Sequence, residues 1–265
     1  MGRLDKLVTV VTGAGRGIGR AIALRYAAEG AQLAITDVHE DNLRAVEDEL
    51  RNAGAAVEAL HSDIGDPAQS RAMVDRVVQR FGRIDVLVNN AGVVRVRPLL
   101  ELTPEDWDYV NDVNARGLFF AMQAGARRML EQAPLTAGRP RGRIVNIASI
   151  GGRIGRPMFA AYAASKAAVI SITQSGASGL APHVTVNAIC PGVVDTEMWR
   201  TIDREWTQAD GRPVGSAWRD RIAGIPMQRP ELAEDLAGMA VFLASADADY
   251  VTGQSYHVDG GMVMV

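Results

Sequence analysis

Short apolar runs rich in β-formers recur along the chain at 7–11, 32–35, 57–60, 84–88, 144–148, 184–189 and 255–258, and such runs read as strands. Between them the apolar positions recur at helical spacing over 17–29, 40–52, 67–81, 104–131, 157–180 and 231–245. Asp66-Pro67 and Thr103-Pro104, the latter with Asp106 in the first turn, mark two of the helix starts, because proline suits the first helical position. Strands that alternate with helices need crossover connections, which yield a parallel sheet covered on both faces. The pattern predicts a Rossmann-like three-layer αβα sandwich around a seven-stranded parallel sheet, one domain over 1–265. Ligands would bind beyond the carboxyl ends of the strands. Two segments break the rhythm. Residues 133–142, rich in Pro, Gly and Arg, read as a surface loop, and 197–229, which holds three of the four tryptophans, reads as a substrate-binding lid.

Composition narrows the functional classes. With 48% hydrophobic and 22% charged residues in 265, the chain can bury a sizeable core. A net charge of -3 with interspersed signs gives no basic stripe for nucleic acid or anionic lipid, so a small-molecule partner is expected. No apolar run approaches the roughly 20 residues a membrane helix needs. One cysteine, Cys190, and no basic-then-apolar leader make the cytoplasm the expected compartment. A lone thiol beside Pro191 reads as inert packing rather than a redox sensor.

Candidate chemistry begins after the first strand, in Thr12-Gly13-Ala14-Gly15-Arg16-Gly17-Ile18-Gly19. Positions without Cβ let backbone approach a pyrophosphate at a helix start, where free N–H groups and the helix dipole bind it. The spacing Gly-x-x-x-Gly-x-Gly departs from the Gly-x-Gly-x-x-Gly fingerprint but meets the same steric need. The alternative is a plain tight turn. Asp37, 18 residues past Gly19 at the end of the second strand, can accept hydrogen bonds from both adenosine ribose hydroxyls and repel a 2′-phosphate, which favours NAD over NADP. Arg16 weighs the other way, and Asp37 as a cap of the next helix is the bland alternative.

Tyr162 and Lys166 stand four residues apart in a segment of high helix propensity and share one helix face. A neighbouring ammonium favours phenolate and is expected to draw the tyrosine pKa down, which suits general acid–base work. Ser149 follows the strand at 144–148 and presents a hydroxyl at the carboxyl end of the sheet. Asn90 and Asn114 present amides from a strand end and from the helix at 104–131. As alternatives, Ser149 is a cap and the asparagines satisfy buried backbone groups, the second being the preferred reading for Asn90.

The motif Thr12-Gly-x-x-x-Gly-x-Gly19, Asn89-Asn90-Ala91-Gly92, Ser149, Tyr162-x-x-x-Lys166 and Pro191-Gly192 occur together in this order. Over essentially its whole length the chain resembles a short-chain dehydrogenase/reductase. The resemblance implies that Tyr162 transfers the proton, Lys166 lowers its pKa and holds the nicotinamide ribose, Ser149 orients the substrate oxygen and Asn114 supports a water relay. It further implies that Asp63 and Ile64 flank the adenine, that Asn90, Ala91 and Gly92 lie along the cofactor, and that Val194 and Thr196 hold the carboxamide. Hydride would pass between a substrate carbon and NAD, with no catalytic metal.

Within that family the segments Ala167-Ala168-Val169-Ile170-Ser171-Ile172-Thr173-Gln174-Ser175, Pro191-Gly192-Val193-Val194-Asp195 and Val258-Asp259-Gly260-Gly261 resemble bacterial polyol dehydrogenases of the sorbitol and galactitol type. The implied reaction interconverts a secondary alcohol and a ketone. In the lid, Met198, Trp199, Trp206, Trp218 and Met227 suggest apolar contact, with Met198 and Trp199 taken as substrate contacts, and Glu197, Asp203, Arg204 and Glu205 could bind hydroxyls. Core packing is the alternative for the tryptophans. A 3-oxoacyl-carrier-protein reductase, NADPH-dependent, is a second reading. Arg127-Arg128 would form half of its acidic-carrier dock, but the matching basic residues near His183 are missing and Asp37 argues against NADP. A catalytically silent nucleotide-binding regulator is the third reading, disfavoured because Ser149, Tyr162 and Lys166 are intact. Small residues after Pro157, among them Ala163, Ala164, Ala167, Ala168, Gly176 and Gly179, permit close helix approach, and the resemblance implies a homotetramer with the apolar terminus Met262-Val263-Met264-Val265 buried at an interface.

Overall fold

In the computed structural model, which describes residues 2–264, the apolar runs become seven parallel strands: β1 Val8–Thr12, β2 Gln32–Asp37, β3 Val57–His61, β4 Val86–Asn89, β5 Gly142–Ile147, β6 Val184–Pro191 and β7 Ser255–Val258. Their order in the sheet is β3-β2-β1-β4-β5-β6-β7. The chain leaves the edge at β3 and returns beside β1, so the strand order reverses between β1 and β4 and a crevice opens beyond their carboxyl ends. The register pairs Thr9 with Val86, Val10 with Leu87 and Val11 with Val88.

Side-chain alternation then sorts the core into two layers. Val8, Val10, Leu87 and Ile144 face one side and pack against α3 (Pro67–Phe81), α5 (Leu118–Glu131) and α6 (Ala160–Leu180). Val11, Val88, Val145 and Ile147 face the other and meet α1 (Gly17–Ala28), α2 (Glu40–Asn52) and α9 (Ala233–Ala244). The fully buried Tyr26 of α1 donates to the Ala240 carbonyl of α9 at 2.9 Å, which pins those two helices together. Burial without a charged partner pushes its phenol well above the usual range. The Rossmann-like αβα sandwich is as expected.

Both proline-marked helix starts are present: Asp66 accepts from Ala68 N–H at 2.8 Å and Thr103 from Asp106 N–H at 3.2 Å. Three elements differ from the expectation. The helix expected over 104–131 is interrupted: α4 (Pro104–Asn111) runs into a π-turn at Asp112–Gly117 before α5. Gly117 is the reason a turn of this width fits there, because a Cβ would lie 2.3 Å from the Ile64 carbonyl oxygen. The helix expected from Pro157 begins at Ala160, and the one expected from Glu231 begins at Ala233, where Asp235 accepts from the Leu232 N–H at 2.9 Å. The segment 197–229 is largely helical, with α7 at Glu197–Asp210 and α8 at Ser216–Ala223. Among the described residues no helix is long and apolar enough to cross a membrane. At the carboxyl terminus Val263 is buried and Met264 is exposed; Val265 lies outside the described residues.

Candidate active site

A cavity of about 810 Å³ opens at the crevice between β1 and β4, within the range of small-molecule sites. One end is built by the turn from β1 into α1. Gly13 (φ +63°) and Gly17 (φ +55°) adopt the left-handed conformation that L side chains resist and line the cavity with Arg16 and Ile18. Gly15 and Gly19 lie behind this surface. A Cβ on Gly15 would sit 2.9 Å from an Asp37 oxygen, and one on Gly19 would sit 2.2 Å from the Gly13 carbonyl. They are glycines because backbone and carboxylate crowd them, which explains the Gly-x-x-x-Gly-x-Gly spacing. The Asn90 amide donates to the carbonyls of Thr12 and Gly13, each at 2.9 Å, so it locks the turn, the preferred reading of this residue.

Asp37, 8% exposed, closes that end. Its oxygens accept from Gly15 N–H and His39 N–H, both at 2.9 Å, which fixes the carboxylate and leaves acceptor capacity on each oxygen. Asp63, Ile64, Ala91 and Gly92 line the same wall with Ser62, whose buried hydroxyl has no partner among the described residues. A bare backbone cradle, a fixed carboxylate and an unpartnered hydroxyl form a surface that fits an adenine dinucleotide.

Toward the middle of the cavity stand Ser149, Tyr162 and Lys166. Ser149 follows β5, and its hydroxyl caps a short turn by accepting from Gly151 N–H at 3.0 Å, so it is both a cap and a cavity group. Tyr162 lies in the first turn of α6, and Lys166, one turn on, is 4% exposed. The expectation that Lys166 draws the Tyr162 pKa down is corrected in one respect. Burial pushes the Tyr162 phenol up, and the group that pulls it back is the Ser149 hydroxyl. The Lys166 ammonium stands 5.8 Å from the centre of the tyrosine ring and donates to the Ile147 carbonyl at 2.7 Å. Burial lowers its own pKa to about 8. Desolvation outweighs the Ser149 hydrogen bond at Tyr162 and the opposing charge effect of Cys190 at Lys166.

Asn114, in the π-turn, is fully buried. Its amide donates to Val93 O at 2.9 Å and to Ser165 Oγ at 3.0 Å, and its oxygen accepts from Val93 N–H at 2.8 Å. The side chain therefore fastens the segment beside Gly92 to α6 and does not reach the cavity surface. Cys190 is buried and its thiol is pushed up, chiefly by burial, as expected of inert packing. Pro191 at the end of β6 and Gly192, Val194 and Thr196 beyond it complete the wall.

From α7, Met198 and Trp199 line the cavity, and Trp206 packs edge-on against Phe159, ring centres 5.3 Å apart. The hydroxyl-binding expectation for the lid acids is corrected, since Glu197 alone of them reaches the cavity. Asp203 instead accepts from the N–H groups of Gly215 and Trp218 (2.5 and 2.8 Å) and holds α8 on α7. Glu205 accepts from Val96 N–H at 2.9 Å, and among the described residues exposed Arg204 reaches only Thr201. Sequence reasoning missed Phe159, Arg156 and Arg221, all on the cavity wall. The spacing of Phe159 three residues before Tyr162 was a usable signal; α8 comes near only through tertiary folding, so Arg221 gave none.

A buried carboxyl braces the loop after β6. Glu231 is 7% exposed and accepts from Gly192 N–H at 2.9 Å, while its second oxygen has no partner among the described residues. Burial pushes it up to about 8, assisted by the charges of Asp235 and Asp259. A carboxyl raised in the folded state stabilises it fully below its unfolded pKa, and that stability is lost as pH rises through the folded value. Between pH 4.5 and 8 the protein therefore loses stability through this group. Glu231→Gln, which keeps the acceptor for Gly192, is expected to melt several degrees above wild type at pH 8 with the gap closing by pH 5, as thermal unfolding across that range will show.

The family model described as enoyl-(acyl carrier protein) reductase matches residues 13–263. The chain is 43% identical over 260 residues to a sorbitol dehydrogenase of Cereibacter sphaeroides and 42% identical over 260 residues to a galactitol 2-dehydrogenase of Agrobacterium fabrum, covering 98% of each chain in both cases. Its structure superposes on a short-chain type dehydrogenase/reductase from Mycobacterium marinum with a TM-score of 0.88 at 35% identity, over 99% of this chain and 97% of that one. With the glycine turn, the crevice and the Ser149–Tyr162–Lys166 wall all in one full-length match, the chain belongs to the short-chain dehydrogenase/reductase family.

Proposed function

We propose that the chain is an NAD-dependent oxidoreductase that interconverts a secondary alcohol, a polyol, diol or related compound, and the corresponding ketone. The observation that carries this reading is the cavity itself, with a fixed carboxylate at the nucleotide end and Ser149, Tyr162 and Lys166 together at its centre. Similarity to sorbitol and galactitol dehydrogenases supports the substrate class. When bound, the nicotinamide supplies the hydride acceptor or donor. In the oxidative direction the Tyr162 oxygen takes the alcohol proton, the Ser149 hydroxyl orients the reacting oxygen and favours the phenolate, and Lys166 holds the ribose. Asn114 positions this wall through Val93 and Ser165. Met198 and Trp199 contact the carbon chain beneath the lid of α7 and α8.

Asp37 supports NAD, because a 2′-phosphate there would face a fixed negative charge. Arg128, half of an acidic-carrier dock in the reductase alternative, donates to the Gly82 carbonyl at 2.7 Å and leans on Glu131, which counts against that reading. Exposed small residues on α6, Ala167 and Gly179 among them, support a homotetramer, although Ala163 and Gly176 face the protein's own core.

The test is initial-rate NADH formation at alkaline pH with sorbitol, galactitol, simple diols and cyclic secondary alcohols, run in parallel with NADP. Turnover with NAD at least about tenfold above NADP is expected. Reduction of acetoacetyl thioesters by NADPH with every alcohol inert would overturn the proposal. Asp37→Asn is expected to raise the KM for NAD by about tenfold and narrow the preference, since one lost charge–dipole contact is worth on the order of 1–2 kcal/mol.

A further inference from the structure

Besides Ser149, Lys166 and the Glu197–Arg200 pair, the wall on the Tyr162 side of the cavity carries two cations that no function so far has absorbed. Arg156 precedes α6, and Arg221 lies on α8; both line the cavity and both are half-buried. Three successive ring contacts lead from the reacting centre to the second of them. Tyr162 and Phe159 are 6.3 Å apart between ring centres, Phe159 and Trp206 are 5.3 Å apart, and the Arg221 guanidinium stacks 4.9 Å above the Trp206 ring. Stacking uses the face of a guanidinium and leaves its edge of five N–H donors free.

Among the described residues neither arginine has a carboxylate partner or a side-chain hydrogen bond, although nearby cations do. Asp220, next in sequence to Arg221, turns away to Arg212 at 2.6 Å; Glu197 pairs with Arg200; Glu205 pairs with Arg97 at 3.6 Å. The other carboxylates on the wall stand at the nucleotide end, as Asp37, Asp63 and Asp112, or on the exposed shoulder at Asp195. Burial and the positive charge of Arg156 both push the Arg221 pKa down, only partly offset by the charge of neighbouring Asp220, so the two cations sense each other with no carboxylate paired to either. Like charges held together in a half-buried wall oppose folding unless an anion joins them. Two free guanidinium forks facing one space match a carboxylate or phosphate.

We propose that Arg156 and Arg221 bind an anionic group, and that the substrate is a hydroxy acid or a phosphorylated polyol whose carboxylate or phosphate they hold while its secondary alcohol lies against Ser149 and Tyr162. This inference rests on the oxidoreductase reading and narrows its substrate class.

The experiment compares kcat/KM with NAD for matched pairs: gluconate against sorbitol, galactonate against galactitol, and sorbitol 6-phosphate against sorbitol. Each pair is run on wild type, Arg156→Met, Arg221→Met and Arg221→Lys. At least one anionic member is expected to exceed its neutral partner about tenfold or more, the carboxylate and phosphate arms telling which anion fits. That ratio is expected to fall at least tenfold in either methionine variant, mainly through KM, with partial recovery in the lysine variant. Equal ratios in all four proteins would overturn the proposal. If no alcohol is oxidised, the oxidoreductase reading fails separately, and binding decides this one by tryptophan fluorescence, with Trp206 directly under Arg221. Tartrate binding at least tenfold more tightly than threitol, its uncharged counterpart, and losing that margin in the methionine variants upholds it. Equal affinities, or a margin the variants leave unchanged, overturn it.

Discussion

Tyr162→Phe is expected to lower kcat by about a thousandfold, roughly 4 kcal/mol of transition-state stabilisation, while the Kd for NADH stays within a few-fold of wild type. The substitution removes one oxygen and keeps the ring that packs against Phe159, so the effect reports proton transfer rather than collapse of the wall. In the structure burial raises the Tyr162 phenol and the Ser149 hydroxyl opposes that shift. Ser149→Ala is therefore expected to move the ascending limb of the kcat profile for alcohol oxidation, where Tyr162 must ionise to take the proton, to higher pH as well as to slow turnover. Stopped-flow measurement of hydride transfer alongside NADH titration separates the two steps. A Phe variant that keeps more than a tenth of the wild-type rate would take the proton-transfer role away from Tyr162.

Asp249→Ala is expected to destabilise the protein by about 3–5 kcal/mol without altering kcat. Arg143 stands at the start of β5 with its side chain 9% exposed, and Asp249 accepts from it and from Arg139, the latter at 3.0 Å. Among the described residues Arg143 has no other side-chain partner, so removing the carboxylate leaves a buried cation uncompensated, the costly way to break such a pair. Replacing both partners by apolar residues, Arg143→Met with Asp249→Leu, is expected to recover part of the loss for the same reason. Urea unfolding of the single and double variants checks this, with an unchanged midpoint for Asp249→Ala counting against it.

The alternation of apolar runs with helical spacing was enough to read seven strands and a parallel sheet, because the inner strands β1, β4, β5 and β6 are buried along their whole length and their pattern is plain. The glycine turn and Asp37 were legible for a similar reason, since both are local features next to a strand end. What the pattern concealed was tertiary. Asp203 and Glu205 look like ligands for hydroxyls in a one-dimensional reading, yet their partners are backbone amides at Gly215, Trp218 and Val96. Tyr162 and Lys166 were found from a four-residue spacing, but that spacing carries no measure of desolvation, which turns the tyrosine shift upward. Arg156 and Arg221 lie 65 positions apart, and nothing but the fold sets them on one wall.

The π-turn at Asp112–Gly117 also has a consequence for how this chain tolerates change in length. A widened turn holds one residue more than an α-turn, so it acts as an absorbed insertion, and everything beyond it is rotated by roughly 100° relative to an uninterrupted helix. The apolar stripe of α5, with Met122, Ala126 and Met129 against the sheet, is in phase with the core only because of that rotation. Deleting Ala115 would give a better-formed helix and a worse protein, since straightening the turn swings either Asn114 away from Val93 or the stripe away from the sheet.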